Sequence, residues 1–281
     1  VFMTFQMTFA IITPALIVGA FAERMKFSAL LWFMGLWLTF VYAPVCHWVW
    51  GGGWLGDWGV LDFAGGTVVH ISAGIAGLVA VLLLGPRKGY PHSTMKPNNL
   101  TMSMTGSGLL WIGWFGFNAG SAVSADASAV LALTTTQTAA AAGAVGWMLT
   151  EMFHYGKASA LGLVSGIVAG LVAITPAAGS VTPAWALVFG FGAAVLSYQF
   201  VQLKVKMGYD DTLDVFGIHG IGGIFGALLV GLAATDVGGW AQLMVQAKSV
   251  LIAITLSGSI TAVLVWLIGQ TIGFRTSEED E

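Results

Sequence analysis

Apolar runs of membrane-spanning length follow one another along the whole chain, with only short polar stretches between them. A helix crosses a bilayer core with about 20 consecutive apolar residues. Breaking the chain at its polar stretches gives runs near 3–22, 27–46, 62–84, 100–119, 127–150, 158–177, 184–203, 215–234 and 249–273. The pattern therefore predicts an all-α polytopic membrane protein with about nine transmembrane helices.

Basic residues fall almost entirely after the odd-numbered runs. Nine of the ten Lys and Arg residues do so, and the exception is Lys248 at the start of the last run. Cytoplasmic connections of membrane proteins carry an excess of Lys and Arg. The odd-numbered helices are therefore expected to end in the cytoplasm, with the N-terminus outside and the C-terminus cytoplasmic.

The composition agrees with a membrane protein. The 281 residues are 57% apolar and 8% charged, whereas soluble domains carry about 25% charged residues. There is no basic patch for nucleic acid, and the single cysteine, Cys46, excludes an internal disulfide. No charged segment precedes the first run, so it does not read as a signal peptide. The chain begins at Val1, and we expect it to be a fragment.

Two histidines inside apolar runs open similar sequences. His70 begins HISAGIAG and His219 begins HGIGGIFG, and each follows an aspartate, Asp62 or Asp214, that opens its run. An ionisable side chain at membrane depth is costly, so a repeated one indicates a functional site. Since the two runs cross in opposite directions, they are predicted to be inverted repeats that share a site near the midplane.

Longer motifs surround these histidines. They are GAFAER at 19–24, WGGG at 50–53, DFAGGTVVH at 62–70, GWFGFNAGS at 113–121 and DVFGIHG at 214–220. With them the chain resembles the ammonium transporter family (Amt/Mep/Rh), from its first residue to about Arg275. The resemblance implies two inverted five-helix repeats plus a final helix, of which this chain would hold family helices three to eleven. Residues 1–274 would be the transmembrane domain, incomplete at its N-terminus, and 275–281 the start of a cytoplasmic tail.

The resemblance also implies roles for particular residues. The outer ammonium-binding site would comprise Trp50, Phe9, Ser121 and Asp62; the pore gate Phe9 and Phe117; and the pore twin-His pair His70 and His219. Taken singly, Trp50 also fits an interfacial anchor and Asp62 a helix N-cap. Rh-type members generally lack the aromatic cup, so the presence of both Trp50 and Ser121 favours an Amt/Mep-type protein.

The implied function is ammonium transport across the cell membrane. Ammonium would be recruited outside, deprotonated, and passed as NH3 through an apolar pore. The implied partners are ammonium or ammonia, membrane lipid, further copies in a homotrimer, and a cytoplasmic PII-type regulator. No cofactor is predicted, and two histidines without Cys or a nearby carboxylate are too few ligands for a metal site.

Three other readings remain open from the sequence. The protein could be an ammonium sensor of the same family, or a neutral NH3 gas channel. An intramembrane enzyme that uses His and Asp is the third, but the chain lacks a nucleophile or metal set for it, so no catalysis is predicted.

Overall fold

The computed structural model describes residues 1–93, 95–277 and 279–281; Glu278 of the predicted tail therefore lies outside the described residues. Long helices occupy the predicted runs. They are α1 (Phe2–Phe21), α2 (27–50), α3 (Gly66–Leu84), α4 (Leu100–Ala119), α5 (Ala127–Tyr155), α6 (Ala160–Ile174), α7 (Pro183–Met207), α8 (Phe216–Ala233) and α9 (Trp240–Thr271). The described residues contain no β-strand, so the all-α prediction is confirmed.

The helices are built for a membrane. Among the described residues, six are long and apolar enough to cross one: α1, α2, α3, α7, α8 and α9. Helix α6 is apolar but shorter, and α4 and α5 are less apolar. The chain is an integral, multi-pass membrane protein.

The largest difference from the predicted boundaries is at α9, which begins at Trp240 rather than near 249. Its first turns carry Gln242 and Gln246, which the apolarity pattern assigned to a loop. The Gln246 side chain is fully buried and its amide is hydrogen-bonded on every side. A buried polar side chain with all its partners in place does not interrupt a helix.

One end of the bundle collects charged residues, and we call it the charged end. The basic residues that follow or end α1, α3, α7 and α9 lie there: Arg24, Arg87, Lys204 and Arg275. The opposite end carries Trp54 and Trp58, which follow α2 and whose rings are in contact, and we call it the tryptophan end. The odd-numbered helices thus end on one side of the bundle, as the alternation of basic residues predicts.

Asp210 joins three elements at the charged end. Its buried carboxylate accepts hydrogen bonds from Nε and Nη2 of Arg87, both at 2.8 Å, and from Nη1 of Arg24 at 3.3 Å. The Arg24 side chain is itself fully buried. Burial alone would raise the pKa of Asp210, but the hydrogen bonds from Arg87 and the two positive charges outweigh it, so the pKa lies below its ordinary value.

Helices α3 and α8 run in opposite directions, since α3 ends and α8 begins at the charged end. Each begins with one wide π-helical turn that contains its histidine, Gly66–Ile71 for α3 and Phe216–Gly220 for α8. Single π-turns are rare and occur frequently at functional sites. The inverted arrangement of the two histidine motifs is present in the fold.

The backbones of α3 and α8 touch where the helices cross. A Cβ added at Gly74 would overlap the backbone N and Cα of Gly220. On the other helix, a Cβ at Gly223 would lie 3.1 Å from Cβ of His70. Gly74 and Gly223 both stand four residues after their histidines, so the repeated glycines of the motif allow the close crossing.

We expect Gly74→Val to prevent stable folding, because the new side chain has no room against the Gly220 backbone. Overpacking a side chain against side chains costs about 1–3 kcal/mol, and backbone yields less readily. Thermal unfolding of the detergent-solubilised protein measures the effect. Gly35→Ala is the control, since a Cβ at Gly35 meets nothing within 4 Å. A Gly74→Val protein as stable as the control would contradict the crossing described above.

We expect Asp210→Asn to lower the free energy of unfolding by about 3–5 kcal/mol, because it leaves the Arg24 charge buried without its partner. The pH dependence has the same origin. Since the folded-state pKa of Asp210 is lowered, its contribution is complete above the unfolded pKa of about 3.9 and is lost as the pH falls through the folded value. Thermal unfolding against pH tests both points, with the exposed Asp236→Asn as control. Equal unfolding temperatures for the two variants would show that the buried cluster contributes nothing.

Candidate functional site

The candidate site is a column of rings that runs inward from the tryptophan end. Trp50 meets Phe9 edge to face with ring centroids 5.7 Å apart, and Phe9 stacks on Phe117 at 4.3 Å. Phe117 lies 6.0 Å from His70, and the rings of His70 and His219 lie 5.2 Å apart. These residues come from α1, α2, α3, α4 and α8, so the fold brings together what the sequence keeps far apart.

Ser121 lies just beyond the end of α4, four residues after Phe117. Its Oγ donates a hydrogen bond to the carbonyl of Phe117 at 2.8 Å. Because a hydroxyl has one donor and two acceptor lone pairs, this bond leaves the Ser121 oxygen able to accept. Trp50 and Ser121 are both half-buried, whereas Phe9 is buried.

His70 and His219 form a hydrogen-bonded pair. Their Nδ1 atoms lie 3.2 Å apart, and both side chains are buried. Two neutral imidazoles in this contact must differ in tautomer, one donating from Nδ1 and the other accepting. The Nε2 atoms then differ as well, one carrying a proton and the other a lone pair. Nε2 of His70 is buried with no hydrogen-bond partner among the described residues, so its hydrogen-bonding capacity remains available.

The two histidines border different cavities. His70 and Phe117 line an apolar cavity of about 410 Å³ between α1 and α4. His219 lines a second cavity of about 640 Å³ at the charged end, together with Arg87 and Asp214. The pair therefore stands between an apolar space and a charged one.

Asp62 is a helix cap. Its carboxylate accepts the backbone N–H groups that open α3: those of Gly65, Gly66, Thr67 and Val68. These four bonds use the lone pairs of both oxygens. Asp62 reaches the aromatic column through its carbonyl instead, which accepts the indole N–H of Trp50 at 2.7 Å.

Asp214 is not the counterpart of Asp62 on α8. Its side chain pairs with Lys204 of α7, and its own backbone lies in the left-handed region with φ of 59°. Asp211 is the counterpart: its buried carboxylate accepts the N–H of Val215 at 3.0 Å and of Phe216 at 2.7 Å. Asp62 and Asp211 both stand eight residues before their histidines, and this equal spacing was the signal in the sequence that the prediction missed.

The environment of Asp211 is electrostatically crowded. Burial and the neighbouring charge of Asp214 raise its pKa to about 6, although Lys204 and the two N–H groups act in the other direction.

Trp114 is a further residue of the site that the sequence reasoning missed. Its ring stacks on His70 with centroids 5.3 Å apart and planes 18° from parallel. Its indole N–H is held at 3.0 Å by the hydroxyl of Thr175, just past the end of α6. No spacing rule points to it, because Trp114 reaches His70 only through the packing of α4 against α3.

Within the described residues, no group of three or more His, Cys, Asp or Glu side chains is placed to hold a metal ion.

Comparisons with known proteins identify the family and the fold. Residues 1–281 match the sequence profile of the Ammonium Transporter Family. An ammonium transporter of Bacillus subtilis is 57% identical over 83% of this chain and 58% of its own length. The crystal structure of Candida albicans Mep2 is 36% identical, with a TM-score of 0.93 over 98% of this chain and 65% of its own. A solved structure described as a sensor Amt protein is 29% identical, with a TM-score of 0.92 over 98% of this chain and 73% of its own.

The chain thus spans about 58% to 73% of the length of these relatives. The profile match covers every residue of it. The chain belongs to the Ammonium Transporter Family.

Proposed function

We propose that this protein transports ammonium, taking NH4+ at the tryptophan end and passing NH3 along the ring column to the charged end. The observation that carries the proposal is the buried, mutually hydrogen-bonded pair of His70 and His219 at the inner end of that column. Membership of the Ammonium Transporter Family supports the substrate.

Recognition is assigned to Trp50, Phe9 and Ser121, with Asp62, whose carbonyl accepts the Trp50 indole N–H, as the fourth residue of the outer site. A cation over aromatic faces gains about 0.5–2 kcal/mol, more where water is excluded. The lone pairs of the Ser121 hydroxyl add directional acceptors, which ammonium can donate to and potassium cannot. Selection between two ions of similar size would therefore rest on hydrogen bonding.

Loss of a proton follows from the cost of burying charge. Moving an ammonium-sized ion into a low dielectric costs on the order of 20 kcal/mol by an idealised Born estimate, whereas neutral NH3 avoids most of that cost. The stacked rings of Phe9 and Phe117 would act as an apolar gate that excludes hydrated ions. Beyond them, the donor and acceptor nitrogens of the histidine pair fit both NH3 and a relayed proton.

The remaining expectations belong to the same proposal. The charged end would face the cytoplasm of a cell and the tryptophan end the outside, by the rule that places basic residues inside. Assembly as a homotrimer and binding of a PII-type regulator at the charged end are carried over from the family resemblance. Transport rather than covalent catalysis is proposed, in line with the transporter names of the relatives.

The similarity to a sensor Amt structure favours one second candidate, an ammonium sensor that binds the ion without conducting it. The same outer site would serve both functions. Flux separates them, because a sensor that binds ammonium need not carry it across the membrane.

We expect His70→Ala/His219→Ala to reduce the ammonium-evoked current by more than about tenfold, since positioned proton carriers commonly contribute a hundredfold or more. Current is measured on a solid-supported membrane with the complete protein, and a vesicle-trapped pH dye reports NH3 influx in parallel. His92→Ala is the control, because His92 is an exposed loop residue. An unchanged current in the double variant would exclude the pair as proton path. If the wild-type protein gives a dye response but no current, it is a neutral NH3 gas channel. If it gives neither signal, the sensor function is favoured.

We expect Trp50→Leu to raise the half-saturating ammonium concentration roughly 2- to 30-fold, the range that corresponds to losing one cation–π contact. Trp58→Leu is the matched control, since Trp58 follows α2 at the tryptophan end but is 49% exposed and contacts Trp54 rather than Phe9. Initial uptake rates against ammonium concentration measure both. Equal half-saturating concentrations for Trp50→Leu and wild type would remove Trp50 from the recognition site.

A further inference from the structure

Gln246, near the start of α9, makes four side-chain hydrogen bonds although it lies in an apolar helix. Its Oε1 accepts the N–H of Leu61 at 2.8 Å, and its Nε2 donates to the carbonyls of Leu61 at 2.8 Å and Ala227 at 2.9 Å. Gln242, one turn earlier, donates to the same Oε1 at 3.4 Å. Both amide protons and the acceptor oxygen are therefore used.

The contact with Leu61 fixes one residue of an irregular segment from both sides. Gln246 takes both the N–H and the C=O of Leu61, as a neighbouring strand would, so the peptide planes on either side of Leu61 cannot turn. The next residue is Asp62, whose carbonyl holds the Trp50 indole and whose carboxylate holds the start of α3. Because Leu61 is bonded directly to Asp62, a rotation of the Leu61 peptide would displace both the Trp50 indole and the start of α3.

The contact with Ala227 ties the same amide to the other half of the repeat. Ala227 lies on α8, eight residues after His219. One side chain on α9 thus connects the segment that leads into His70 with the helix that carries His219. Thr261, also on α9, accepts the indole N–H of Trp37 on α2 at 3.0 Å, and neither of these residues belongs to the column.

We propose that Gln246 is a positioning residue for ammonium recognition: its amide locks the Leu61 peptide against α8 and thereby holds the Trp50 ring and the start of α3 in the geometry that binds the cation. The inference rests on the proposed function, because it assigns a role within the same outer site.

The test compares Gln246→Met with Thr261→Val in the complete protein reconstituted in proteoliposomes. Methionine matches glutamine in length but has no amide, so all the hydrogen bonds to Leu61 and Ala227 are lost. Thr261→Val removes a buried hydrogen bond from the same helix without touching Leu61, and it controls for general destabilisation. Initial rates of methylammonium uptake give the half-saturating concentration and the maximal rate, and thermal unfolding gives the stability.

We expect Gln246→Met to raise the half-saturating concentration about tenfold, a change equivalent to one or two net hydrogen bonds, with a smaller change in maximal rate. Thr261→Val is expected to lower the unfolding temperature and leave half-saturation unchanged. In a Trp50→Leu background, Gln246→Met is expected to change half-saturation less than about twofold, because two residues that act through one contact are not additive.

Three results would count against the inference. Half-saturation that is unchanged in a folded Gln246→Met protein would overturn it, as would equal shifts in Gln246→Met and Thr261→Val. Full additivity with Trp50→Leu would overturn the route through Trp50. If Gln246→Met does not accumulate in the membrane, Gln246→Asn, whose amide is withdrawn by one methylene, carries the same expectations. Failure of the wild type to take up substrate would instead overturn the proposed function.

Discussion

Contact between the backbones of α3 and α8 at Gly74 and Gly220 is the constraint on which the site depends. Nothing larger than hydrogen fits there, and only this approach brings the Nδ1 atoms of His70 and His219 to 3.2 Å. The π-helical turn at the start of each helix places its histidine just before the crossing. Because protein interiors are close-packed and hardly compressible, the distance between His70 and His219 is set by the glycines at the crossing as much as by the histidines.

The sequence predicts the helices and the histidine pair because the bilayer leaves few alternatives. Backbone groups in lipid must be satisfied internally, so apolar runs of the right length become helices, and a repeated histidine inside them has few roles. The same reasoning fails at α9, where Gln246 makes the pattern look like a loop. Apolarity reports the average polarity of a stretch. It does not report whether one polar side chain has found partners on Leu61 and Ala227.

Two further misses have different causes. Trp114 reaches His70 through packing between α4 and α3, which no local pattern encodes. Asp211 was within reach of the sequence, since it repeats the spacing of Asp62, but Asp214 lies closer to His219 and drew the assignment. The structure separates the two by what their carboxylates contact: backbone N–H groups for Asp211, a lysine for Asp214. The resemblance to a family identified the aromatic residues Phe9, Trp50 and Phe117, which come from three helices and which no spacing within one helix predicts to meet.

Polar groups inside this fold are of two kinds: those whose hydrogen-bonding capacity is fully used within the protein, and those that can still bind a ligand. The carboxylate of Asp62 is saturated by backbone N–H groups at the start of α3, and the amide of Gln246 by Leu61, Ala227 and Gln242. Ser121 keeps acceptor lone pairs, and Nε2 of His70 has no partner among the described residues. The stacked rings of Phe9 and Phe117 are near both groups, because Ser121 bonds the Phe117 carbonyl and the Phe117 ring lies 6.0 Å from the His70 ring. In the proposed function, a cation bound at Ser121 passes these rings before it reaches the histidine pair, and the lack of an acceptor along the rings is the physical reason proposed for the proton to leave first.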